Sequence, residues 1–133
     1  MIIIKQKWIK REDLQANPNV IYLFGDNELR IGFGGQAKEM RGEPNAVGIV
    51  TKKSPTAFMS DDELILNKQK IDSDFNTIKI KLAKLNSFWD SVKGRVVVVI
   101  PADGLGTGLA DLPNKAPKTY KYLCEKLEQL KDF

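Results

Sequence analysis

The sequence predicts an α/β domain, a sandwich in which helices cover both faces of a mixed, partly parallel sheet. Three observations predict it. Val96–Ile100 is apolar at every position, the pattern of a strand buried on both faces. Short apolar runs of strand length alternate along the chain with stretches of helical period. Two of the strands, Val20–Phe24 and Val96–Ile100, empty into glycine-rich loops, and in sheets of this kind ligands gather at the carboxyl ends of strands.

Taken in order, Ile2–Ile4 reads as a first short strand and Lys10–Ala16 as a brief helix that stops before Asn17-Pro18-Asn19. Val20–Phe24 is the second strand. Gln36–Arg41 carries helical turns halted by Gly42 and Pro44, and Ala46–Thr51 is again strand-like. Ser54–Asn67 is ambiguous, a loop with Pro55 and an acidic turn at Asp61, Asp62 and Glu63. The clearest helix places Ile71, Phe75, Ile78, Leu82, Leu85 and Trp89 at alternating spacings of four and three, one continuous buried stripe that Gly94 closes. Val96–Ile100 follows as a strand. Pro117 stands where the first turn of a final helix begins, and Tyr120, Leu123, Cys124, Leu127 and Leu130 share one face of it.

At 133 residues, 42% hydrophobic and 29% charged, the chain has the size and composition of one globular domain spanning residues 1–133. No apolar run approaches the roughly 20 residues that cross a bilayer. In MIIIKQKWIK the charges follow a very short apolar run, the wrong order for a secretory signal. A cytoplasmic monomer is the expectation. A single cysteine, Cys124, offers neither an internal disulfide nor a multi-thiolate metal site. The absence of histidine excludes Ser/His/Asp and Cys/His triads, so catalysis would rest on Lys, Asp, Glu, Asn or Tyr. A formal charge of +4 permits an anionic partner without requiring one, and no arginine-rich stripe or ladder of aromatics points to nucleic acid. Neither a cofactor nor a metal is expected.

The two loops are the informative feature. Bare peptide N–H groups at a glycine turn that feeds a helix N-terminus make an anion site, and phosphate is its natural guest. Gly32, Gly34 and Ala37 match G-x-G-x-x-A, but six residues, Asp26 to Ile31, separate them from the strand-ending Gly25, which argues against a Rossmann turn. Neither loop ends in the G-K-[ST] of a Walker A motif. Two phosphate loops facing each other from one sheet suit a diphosphate such as that of ADP-ribose. Side chains at Gly34 or Gly106 are expected to abolish binding and leave the fold intact, because a Cβ would take the phosphate's place or forbid the φ required.

Three segments in one order carry a resemblance. DNELRIGFGGQAKEMRGEP, GIVTKKSPTAF and IPADGLGTGLAD resemble the loops of the macrodomains, most closely the class of terminal ADP-ribose glycohydrolases and DNA ADP-ribosyl glycohydrolase antitoxins. They look like that class's N-x-x-x-M-G-x-G-I-A loop, T-K-[KR] strand end and P-x-x-G-x-G-x-G-x-x-D loop, over roughly residues 20 to 130. The resemblance implies a three-layer α/β/α sandwich that binds ADP-ribose and hydrolyses ADP-ribosyl linkages on protein or DNA.

Carried over, it implies Lys52 and Asp111 as the groups acting on the anomeric carbon, with Asn27 at the distal ribose. Ligand contacts would come from Gly25, Asp26, Asn27, Gly32, Phe33, Gly34, Gly35 and Gln36 in the first loop and from Asp103, Gly104, Leu105, Gly106, Thr107 and Gly108 in the second. Plainer readings stand beside these. Lys52 is otherwise a surface lysine at a strand end, Asp111 a cap for the turn at Leu112-Pro113, Asn27 and Asp26 turn stabilisers, and Phe33 a filler of the core edge. The likeness departs in two places: IIIKQKWIKRED has no G-D-[IL] for adenine, and the first loop reads G-F-G-G-Q-A. Two rival functions remain, a module that sequesters a nucleotide without turnover and a nucleic-acid-binding accessory protein.

Overall fold

The computed structural model describes residues 1–133 as a five-stranded sheet between two layers of helices. The strands are β1 (Ile2–Gln6), β2 (Ile21–Asn27), β3 (Ala46–Ser54), β4 (Ala57–Phe58) and β5 (Val97–Pro101). The helices are α1 (Arg11–Ala16), α2 (Ala37–Met40), α3 (Leu64–Ser91), α4 (Leu112–Lys115) and α5 (Pro117–Gln129), with short 3-10 turns at Asp61–Glu63 and Leu130–Asp132. The strand order is β1-β5-β2-β3-β4; the first four are parallel and β4 returns antiparallel as a short edge. This is the three-layer α/β/α arrangement with a mixed, partly parallel sheet.

The alternation of side chains along the central strands divides the core in two. Ile21 and Leu23 of β2, Val47 and Ile49 of β3 and Val98 and Ile100 of β5 face α3, α4 and α5, where they meet Ile71, Phe75, Ile78, Leu112 and Leu123. Tyr22, Phe24 and Val99 face the other way, onto Leu14 of α1 and Ala37 and Met40 of α2. Both faces of β2 and β5 are therefore buried, which is why their sequences read as unbroken apolar runs. The stripe on α3 lies as its period requires, with Ile71, Phe75, Ile78 and Leu82 buried and Leu85 and Trp89 packed at the edge. No helix is long and apolar enough to cross a membrane.

Several boundaries differ from the sequence reading. β2 continues beyond Phe24 to Asn27, so Gly25, Asp26 and Asn27 are strand residues, paired to β3 through Asn27 and Lys52. The ambiguous Ser54–Asn67 segment becomes the β3–β4 turn, a 3-10 turn and the start of α3, which begins at Leu64. Tertiary contacts hold that start. Fully buried Asn67 donates its amide to the Ser60 carbonyl at 2.8 Å and to the Thr119 hydroxyl at 3.1 Å. Asp61 accepts the first free backbone N–H groups of α5, from Lys118 and Thr119, each at 2.9 Å. An aspartate more than fifty residues upstream thus caps a helix that has no side-chain cap of its own.

Candidate functional site

The topology makes one crevice. β2 leads into α2 on one face of the sheet, and its neighbour β5 leads into α4 and α5 on the opposite face. Adjacent parallel strands whose connections leave in opposite directions open a gap at their carboxyl ends. β2 and β5 pair only at Ile21–Val98 and Tyr22–Val99, after which β2 keeps company with β3 alone. A cleft of about 590 Å³ occupies the gap, within the range of small-molecule sites. Its walls are the ends of β2 and β3, the two glycine loops, and Lys7 and Trp8 just after β1.

Both loops offer peptide donors. The backbone N–H groups of Phe33, Gly34, Gly35 and Gln36, and those of Gly106, Thr107, Gly108 and Leu109, donate to no carbonyl of the chain. The second loop is shaped from within: Gly104 N–H donates to the Pro101 carbonyl at 2.9 Å, Leu112 N–H to the Gly106 carbonyl at 2.8 Å, and the Thr107 hydroxyl to the Asp103 carbonyl at 2.6 Å. Gly25 lets this loop approach β2, since a Cβ there would stand 3.4 Å from the Gly106 nitrogen and 3.2 Å from the Thr51 hydroxyl. The loops touch each other where the Leu109 side chain lies over Gly34, 3.0 Å from the position a Cβ would take.

Two expectations change here. α2 and α4, the helices that follow the loops, are single turns of four residues, so the macrodipole adds little and the anion-binding capacity lies in the loop amides themselves. Gly106 has φ of 77° and its Cβ would meet Leu112 at 3.1 Å and Thr51 at 3.2 Å. A side chain at Gly106 would therefore be strained by its positive φ and crowd Leu112 and Thr51, at a cost to the fold. At Gly108 a Cβ would have nothing within 4 Å.

Beneath the first loop lies a chain of charges. Asp26, 6% exposed, receives Arg41 through both terminal nitrogens, Nη2 to Oδ1 at 2.6 Å and Nη1 to Oδ2 at 3.1 Å. Arg41 Nε holds the Gly32 carbonyl at 2.7 Å, so this one side chain shapes the loop and neutralises the carboxylate below it. Arg30 lies 3.5 Å from Asp26 and 2.5 Å from Asp74 of α3, while Asp74 also accepts Val50 N–H at 2.8 Å. Burial raises the Asp74 carboxyl above its ordinary range, against the pull of the Val50 amide and Arg30. Gly48 leaves the space Asp26 occupies; a Cβ there would stand 2.6 Å from Oδ2.

All the sequence-derived site residues line the cleft except Leu105 and Asp111. Leu105 is 2% exposed and belongs to the core under the second loop. Asp111 has φ of 45° and turns its carboxylate to the Asn114 amide at 2.7 Å, while its carbonyl accepts Lys115 N–H at 2.9 Å. That is the geometry of a residue that stabilises the turn into α4. Lys52 reaches the cleft and donates to the Pro55 carbonyl at 2.7 Å, with its ammonium 5.1 Å from the centre of the Phe58 ring. Lys53 points elsewhere, to Glu63, and that hydrogen bond raises its pKa. Asn27 donates to the Ile31 carbonyl at 2.7 Å, and its buried Oδ1 has no partner. Gln36 spends both ends of its amide on Ile9, accepting its N–H at 2.8 Å and donating to its carbonyl at 2.9 Å. Phe33 is 66% exposed and fills no core edge.

Sequence reasoning missed Trp8, Thr51 and Arg41. Trp8 carried a signal, an isolated indole among charges in KQKWIKRE. Arg41 carried none, because its partner Asp26 is fifteen residues away and their meeting depends on the turn between β2 and α2. The model of a family of unknown function, DUF7831, matches residues 4–126 of the chain. No curated protein and no solved structure matches it.

Proposed function

We propose that this chain, which belongs to the DUF7831 family of unknown function, binds a nucleotide diphosphate of the ADP-ribose type in the cleft between β2 and β5. The observation that carries the reading is the pair of glycine loops on opposing walls of one crevice, each with a run of peptide N–H groups that meet no acceptor in the chain. A diphosphate brings charged oxygens to both walls at once, and charge-assisted bonds to amide donors are the stronger kind. The carboxylate at the cleft floor, Asp26, does not repel such a guest because Arg41 and Arg30 neutralise it. The resemblance to ADP-ribose-binding domains agrees with this chemistry.

Hydrolysis of an ADP-ribosyl linkage is the activity the reading favours. In that reaction water adds to the anomeric carbon as the bond to the modified group breaks, and the departing group takes the proton. Lys52 would face the reacting sugar as a cation. Asp103, exposed and on the cleft wall, would supply the carboxylate, because Asp111 is committed to Asn114.

Calorimetry with ADP-ribose, ADP, AMP and ribose tests the binding. ADP-ribose and ADP are expected to bind well, AMP much more weakly and ribose not at all. Equal affinity for AMP and ADP, or binding of ribose alone, would overturn the two-loop reading. Tight binding without release of ADP-ribose from modified protein or DNA would assign the cleft to sequestration.

A further inference from the structure

Beyond the diphosphate, we infer that the nucleobase of the ligand stacks on Trp8 and is read by its face, with little discrimination among bases; the inference rests on the proposed nucleotide site. Trp8 stands on the cleft wall with 52% of its surface exposed, beside a neighbour, Ile9, that is completely buried. The Gln36 amide grips the Ile9 backbone at both its N–H and its carbonyl, at 2.8 Å and 2.9 Å, and so ties the segment after β1 to the first glycine loop. An exposed indole is thereby presented from a fixed backbone at the edge of the phosphate-binding loops. Phe33, in the first loop, lines the same cleft and shows 66% of its surface. Two exposed aromatic rings on one concave site are suited to a planar guest.

Polar side chains near Trp8 in sequence, and Gln36, hold the backbone of this segment in place. The Gln6 amide donates to Asp13 at 2.9 Å, the same carboxylate oxygen accepts Lys10 N–H at 2.9 Å, and Gln36 is used at both ends. These bonds fix the backbone on either side of Trp8 and leave its exposed indole as the broad surface the segment offers to a guest. Every base has a π face, so recognition by stacking tolerates different bases.

The test compares ADP, GDP, UDP and inorganic pyrophosphate by calorimetry on the wild type and on Trp8→Ala, with Trp8→Phe as the conservative variant. In the wild type the three nucleotides are expected to bind within about tenfold of one another and more tightly than pyrophosphate. Trp8→Ala should weaken every nucleotide by roughly tenfold and leave pyrophosphate unchanged, and Trp8→Phe should restore most of the loss. Unchanged nucleotide affinity in Trp8→Ala, an equal loss for pyrophosphate, or a preference for adenine over uracil beyond a hundredfold would overturn the inference. Pyrophosphate binding with no gain from any base sinks this inference alone. A wild type that binds none of the four sinks the nucleotide site and the inference together.

Discussion

Arg41 holds the carboxylate of Asp26 in a two-pronged ion pair, 2.6 Å and 3.1 Å across, with the arginine side chain 16% exposed and the aspartate side chain 3% exposed. Removing Arg41 leaves the buried carboxylate with only the more distant Arg30, 3.5 Å away, which costs up to about 3–5 kcal/mol. Arg41→Gln should lower stability by that amount in urea denaturation. Arg41→Gln combined with Asp26→Asn should recover much of the loss, because the buried charge disappears with its partner. Losses that simply add would show that the two residues do not act as a pair.

Asp61 caps α5 through the amides of Lys118 and Thr119 and the Thr119 hydroxyl, and together these bonds outweigh the effect of burial and lower its pKa. A carboxyl lowered in the folded state adds stability that is complete above its unfolded value of about 4 and is lost as pH falls through the folded value. Asp61→Ala should cost about 0.5–2 kcal/mol at neutral pH, as caps do. The gap between wild type and variant should shrink on acidification from about pH 5 to about pH 2. A gap independent of pH over that range would remove the carboxylate from the account.

The glycines of the second loop should separate folding from binding. Gly106→Val forces a β-branched residue to φ of 77° and drives its Cβ against Leu112, so it should destabilise by roughly 1–3 kcal/mol. Gly108 has no such neighbour within 4 Å. Gly108→Val should leave stability within about 0.5 kcal/mol while weakening ADP-ribose strongly, because its side chain would stand beside the loop donors. Wild-type affinity in a folded Gly108→Val would place the diphosphate elsewhere.

Lys52 and Lys53 are adjacent in sequence and opposite in placement, one on the cleft and the other on Glu63. If hydrolysis occurs at this site, Lys52→Ala should reduce release of ADP-ribose from a modified substrate by about a hundredfold or more, with a smaller change in affinity for free ADP-ribose. Lys53→Ala should leave release nearly unchanged. Asp103→Ala should resemble Lys52→Ala; a comparable loss in Asp111→Ala instead would return the carboxylate role to Asp111.

What the sequence determined by itself was whatever depends on near neighbours. The period of Ile71, Phe75, Ile78 and Leu82 marks the core face of α3, the unbroken Val96–Ile100 run marks a strand covered on both sides, and the alternating glycines mark loops that need bare backbone. Each of these is set by geometry repeating within a few residues. Only the tertiary structure decided which strands would be neighbours, and hence that the loops after β2 and β5 share a cleft. It alone brought Arg41 to Asp26, Asp61 to α5 and Gln36 to Ile9. It also turned Asp111 toward Asn114 and left Trp8 on the wall. Hydrogen bonds and ion pairs between distant residues leave no period in a sequence, because their partners are chosen by the path of the chain through space.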